Sequence, residues 1–145
     1  MSLKQKFKTS SDAARDGVWV EYTAHANADG TIPAFKLARM SRQNKKYQLA
    51  LRSVLEAQGG DLETSVRDEE ALEKALFRAF IDTILLDWRN FQPEDDGLDL
   101  PYSKAAAEEI FLNPDWIDLF GDLTDKAARN ATFREKALEA QAKNS

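Results

Sequence analysis

The sequence predicts a mainly α-helical fold with a small N-terminal β-hairpin, an α+β arrangement of about four helices. Three observations predict it. Apolar residues recur at helical spacing from Tyr47 to Trp88. A β-branched and aromatic run, Val18, Trp19, Val20 and Tyr22, is separated from a second apolar run by the turn-prone Asn27-Ala28-Asp29-Gly30. Helix breakers at Gly59-Gly60, Pro93, Gly97 and Pro114 divide the rest into short segments. A chain of 145 residues fits one domain with surface enough to bury its own core.

Residues 1–16 are small and polar with little periodicity, which predicts a flexible N-terminal segment ahead of a single domain over 17–145. The hairpin is expected over 17–40, its second strand drawn from Ile32, Phe35, Leu37 and Met40. A lone hairpin is marginal in water, so it must lie against helices.

Ser41 can cap a helix over about 42–58. Tyr47, Ala50, Leu51, Val54 and Leu55 draw one stripe on it, and Gly59-Gly60 ends it. The next helix is expected over about 68–89. Leu72, Leu76, Phe80 and Ile84 form one row and Phe77, Ile81, Leu85 and Trp88 the neighbouring row. Two adjacent rows exceed what one neighbour can cover, which places this helix at the centre of the core. After Pro93 and Gly97, Ser103 opens a short helix over 103–112. Asn113 as cap and Pro114 at the first helical position then open a last helix over about 114–140. That helix carries Trp116, Leu119, Phe120 and Leu123, then thins to Ala127, Ala131 and Leu138 among charges, too little apolar surface to hold its second half to a core.

The absence of cysteine removes disulfides, thiolate metal sites and cysteine nucleophiles, and is compatible with a reducing cytoplasm. No apolar run is long enough to cross a bilayer, and Met1 to Lys8 lacks the apolar core of a secretory signal, so a soluble intracellular protein with no membrane partner is expected. The net charge of −5 is unevenly spread: residues 1–60 hold ten Lys/Arg against five Asp/Glu, leaving −10 on the remainder. The basic residues lack the interleaved aromatics of a base-stacking platform, so no nucleic-acid partner is expected. The basic front is instead expected to solvate itself or to face the acidic rear of the same or another copy, an arrangement compatible with head-to-tail self-association.

No catalytic pattern is present. His25 is the only histidine and has no activated serine or fellow metal ligand in pattern with it. Loops around Gly30 and Gly97 fail as calcium sites, because the positions that require carboxylates fall on His25 and Lys36 in one and on Gln92 and Ser103 in the other. Asp115, Asp118 and Asp122 share a helix face, but acidic residues in a first turn also complement the helix dipole. Gly59-Gly60 is not followed by the Lys-Ser/Thr of a phosphate loop. The expectation is a protein without catalysis, cofactor or metal. Trp19, Trp88 and Trp116 read as core anchors. Phe133, set among Arg129, Asn130, Arg134 and Glu135, reads as an exposed partner contact, with Arg129, Arg134 and Leu138 as companions on the same helix.

The segment from about Phe77 to Leu123 resembles the tail assembly chaperones of long-tailed bacteriophages. The matching residues are Leu85-Leu86-Asp87-Trp88 ending an apolar helix, the acidic turn Asp95-Asp96-Gly97, Leu100-Pro101-Tyr102-Ser103, the short helix with Ile110-Phe111-Leu112, and Asn113-Pro114-Asp115 opening another. Asp16-Gly17-Val18-Trp19-Val20 is similar to the opening of such proteins. The resemblance implies a non-catalytic protein of the host cell cytoplasm, absent from the finished virion. It implies one that coats the tape measure protein and helps recruit major tail tube subunits around it. Many such chaperones also have a longer form made by programmed frameshifting. Codons GCA AAA AAC for Ala142-Lys143-Asn144 would supply a slippery heptamer. The alternative is a virion structural protein such as a head-tail connector subunit.

Overall fold

A three-stranded antiparallel sheet organises the computed structural model, which describes residues 3, 16–57, 69–94, 96–129 and 132–133. Its strands are β1 (Val18–Glu21), β2 (Ala34–Leu37) and β3 (Leu85–Arg89), in the order β1-β2-β3. The helices are α1 (Lys45–Ala57), α2 (Glu69–Thr83), α3 (Lys104–Leu112) and α4 (Ile117–Ala128), with 3-10 turns at Thr23–His25 and Pro114–Trp116.

The expected hairpin is present. β1 pairs with β2 in the register Val18↔Leu37, Trp19↔Lys36, Val20↔Phe35 and Glu21↔Ala34. Alternation follows from the register: Val18 and Val20 are buried, while Trp19 and Glu21 face outward with Arg89, whose guanidinium lies 4.4 Å from the Trp19 ring centre and 3.1 Å from Glu21 Oε1. At the start of β1, Gly17 has φ +91, and a Cβ there would come 2.8 Å from Leu86 Cδ1, so backbone conformation and space both call for glycine.

The expected helix over 68–89 requires a correction. The helix ends at Thr83, and Leu85 to Arg89 form the third strand, with Phe35↔Trp88 and Leu37↔Leu85 as partners. Between those pairs β3 holds one residue more than β2, and this bulge makes residues three apart, Leu85 and Trp88, both bury on the core side. The other boundaries fall near expectation at α1 and α3, but α1 begins at Lys45 and is capped by Asn44, whose Oδ1 accepts from Tyr47 N at 3.2 Å, rather than by the expected Ser41. Ser103 caps α3, its Oγ accepting from Ala106 N at 3.0 Å, and Asn113 Oδ1 accepts from Asp115 N at 3.0 Å before the Pro114 turn. The termination expected at Gly59-Gly60 lies outside the described residues.

The single helix expected over 114–140 is interrupted: Pro114–Trp116 form a 3-10 turn and the chain breaks at Arg129, while Thr132 and Phe133 are again helical and 134–140 lie outside the described residues. α4 stops at Ala128, and Arg129 is extended (φ −80, ψ 130). The Ala127 carbonyl, one of the four that a helix end leaves unpaired, accepts instead from Met40 N at 2.9 Å.

The core lies between the sheet and the helices. Phe35, Leu37, Ile81, Ile84, Leu85 and Leu123 are at most 1% exposed. The connector after β3 is held to the core at Phe91, Leu100 and Tyr102. Trp88 Nε1 donates to the Leu100 carbonyl at 2.7 Å, Leu100 N to Phe91 O at 2.8 Å, and the Tyr102 hydroxyl to Leu85 O at 2.6 Å. The Trp88 ring packs edge-on against Phe35, Phe91 and Tyr102. Trp88 is therefore the core anchor expected, held in a strand rather than at a helix end.

Candidate partner-binding groove

α2, α3 and α4 each bury one stripe and leave part of a second uncovered. Where they meet, four phenylalanines make a continuous apolar floor. Phe77 stacks on Phe120 with ring centres 4.3 Å apart, while Phe111 lies 6.0 Å from Phe77 and 5.6 Å from Phe120, and Phe80 lies 5.1 Å from Phe120. Above this floor is an open groove of about 460 Å³, walled by Met40 and Tyr47 on one side and by Leu76, Leu112 and Ile117 on the other.

The wall residues make the groove a candidate binding site. Leu76 is 42% exposed, Leu112 52% and Ile117 55%, three large aliphatic side chains from three helices converging on one depression. Single exposed leucines are ordinary, whereas a contiguous apolar patch is a mark of interaction surfaces. Covering the exposed half of each side chain would contribute about 1 kcal/mol, from roughly 2 kcal/mol for full burial of an aliphatic side chain. Little polar demand opposes this. Thr124 Oγ1 already donates to the Phe120 carbonyl at 2.8 Å. Burial pushes the Tyr47 phenol above its ordinary pKa, so it stays neutral at physiological pH. Arg78–Glu108 at 3.4 Å and Lys104–Asp82 at 3.7 Å are exposed ion pairs that join α3 to α2 outside the groove.

The residues expected to contact a partner fare differently. Phe133 is 0% exposed, so the expectation of an exposed aromatic is corrected. Its charged sequence neighbours signal surface, but a charged local sequence does not decide whether one side chain among them is enclosed. Arg129 is exposed and pairs with Asp125 one turn back on α4. Arg134 and Leu138 lie outside the described residues. The groove is hidden in the sequence because Leu76 belongs to a row of its helix, Leu72, Leu76, Phe80 and Ile84, that reads as core. The signal was present in the width of that helix's apolar face, which a small domain has too few neighbours to cover.

His25 ends the first 3-10 turn and is exposed. Asp115, Asp118 and Asp122 do not form a carboxylate cluster of one purpose. Asp122 Oδ2 accepts from the Tyr22 hydroxyl at 2.6 Å and from Lys126 Nζ at 2.5 Å. These two bonds, Lys126 first, hold its carboxyl below the ordinary range. Among the described residues, no group of three or more His, Asp or Glu is placed to hold a metal ion, and no helix is long and apolar enough to cross a membrane.

A family model described as YdaY prophage protein matches residues 35–144, a span that begins on β2 and takes in β3, α1, α2, α3 and α4. No curated protein and no solved structure matches the chain.

Proposed function

Because the chain belongs to the YdaY prophage protein family, we propose that it acts in the host cytoplasm as a tail assembly chaperone. In this reading it binds an apolar helix of the tape measure protein in the groove between α2, α3 and α4, without catalysis, and helps recruit tail tube subunits. The observation that carries the reading is a coincidence of place: apart from Met40, Tyr47 and a few flanking residues, the groove is lined by residues between Leu76 and Phe120, nearly the same segment that resembles tail assembly chaperones. An amphipathic helix presents residues at i, i+3 and i+7 to such a surface and covers the leucines that the fold leaves wet.

Co-expression with the tape measure protein of the same prophage tests this. The expected result is a tape measure that becomes soluble and co-elutes with this chain in gel filtration. Unchanged solubility with no complex would refute it. Mass spectrometry of purified particles separates the alternative, since a connector subunit would be present stoichiometrically and a chaperone absent.

A further inference from the structure

α4 has two working flanks. Ile117, Phe120 and Thr124 face the groove, while Asp118, Leu119 and Asp122 point to the other side of the helix and line a second cleft of about 420 Å³. Its aromatic lining comes from three parts of the chain: the partly exposed Tyr22 after β1 and Trp116 before α4, with the buried Phe35 on β2 and Phe91 after β3 beneath them. Phe91 and Trp116 pack edge-on with ring centres 5.4 Å apart.

Four carboxylates lie on or near this lining, with Lys126 and Arg129 acting on one of them, Asp122. Gln92 Nε2 donates to Asp29 at 3.1 Å and to Asp99 at 2.9 Å, gathering two carboxylates near the mouth, while Asp118 and Asp122 line the α4 side. The cleft edge already shows what such groups hold. The Lys126 ammonium sits 5.0 Å from the Tyr22 ring centre and 2.5 Å from Asp122 Oδ2, an aromatic face and a carboxylate sharing one cation. Trp116 and Asp118 also line the cleft, again an aromatic ring and a carboxylate, and among the described residues no cation pairs with Asp118.

We propose that this cleft takes an arginine side chain of a partner protein, its stem and guanidinium plane against Trp116 and its charge at Asp118. Arginine suits the site better than lysine because a planar, weakly hydrated cation can stack on an indole while donating to a carboxylate. The inference is independent of the tape measure reading, because a small probe on the isolated protein tests it.

The probe is N-acetyl-arginine amide, followed by the indole N–H resonance of Trp116, which a Trp116→Phe variant assigns among the three tryptophans. The Trp116 signal should shift and saturate with a Kd on the order of 10 mM, as one side chain without the rest of its partner would. The uncharged N-acetyl-citrulline amide should leave it in place. Asp118→Asn should weaken binding about tenfold while the Tyr22–Asp122 hydrogen bond keeps the fold, and raising salt should weaken it in the unmodified protein. A Trp116 signal that stays still, moves equally with citrulline, or responds unchanged in Asp118→Asn would overturn the proposal.

Discussion

At the scale of single residues, the three tyrosines give the chain a defined alkaline limit. The phenols of Tyr22, Tyr47 and Tyr102 are all pushed up, first by burial. Asp122 adds to the effect at Tyr22, and the charges of Asp87 and Asp82 add to it at Tyr102. A folded pKa above the unfolded value of about 10 means stability is fully present below pH 10 and falls as pH rises past it. Absorbance at 295 nm during an alkaline titration should therefore show phenolate appearing together with unfolding. A free tyrosine titrating near pH 10 in a still-folded protein would contradict the burial described. Phe133 is a second residue-scale case. Truncating a fully buried phenylalanine costs about 3 kcal/mol or more, so Phe133→Ala should lower the urea midpoint; an unchanged midpoint would return it to the surface where its charged neighbours first placed it.

At the scale of elements, what was legible in the sequence depended on whether the signal was local. Ser103 and the Asn113-Pro114 pair could be read because a cap needs only its own side chain and the next turn. Ser103→Ala should cost about 1 kcal/mol in urea unfolding, and no loss would mean that the bond to Ala106 N contributes nothing. The hairpin was legible for the same reason, its turn residues lying between two β-prone runs. β3 was not. A regular strand alternates every second residue, but the bulge places Leu85 and Trp88 on one face three residues apart, and that spacing also fits a helix continuing from Phe77 and Ile81. What decides the matter is the partner strand β2, almost fifty residues away in sequence. α4 likewise ends where Met40 reaches the Ala127 carbonyl, a contact that no local pattern announces.

At the scale of the whole molecule, the helices are packed well enough to hold a core and incompletely enough to leave a groove. Phe77, Phe80, Phe111 and Phe120 serve both purposes, their rings closing the interior from one side and flooring the groove from the other. The candidate site was half legible in the sequence: the apolar width of α2 showed that surface would be left over, but not which side chains would meet there. Replacing Leu112 and Ile117 by aspartate puts charge on exposed positions, so the fold should survive while the groove loses its apolar wall. The most direct test is co-purification of the tape measure protein with the Leu112→Asp/Ile117→Asp variant beside the unmodified chain. The account predicts that the unmodified chain retains a soluble complex and that the folded variant loses it at least tenfold. Equal recovery with both would contradict it.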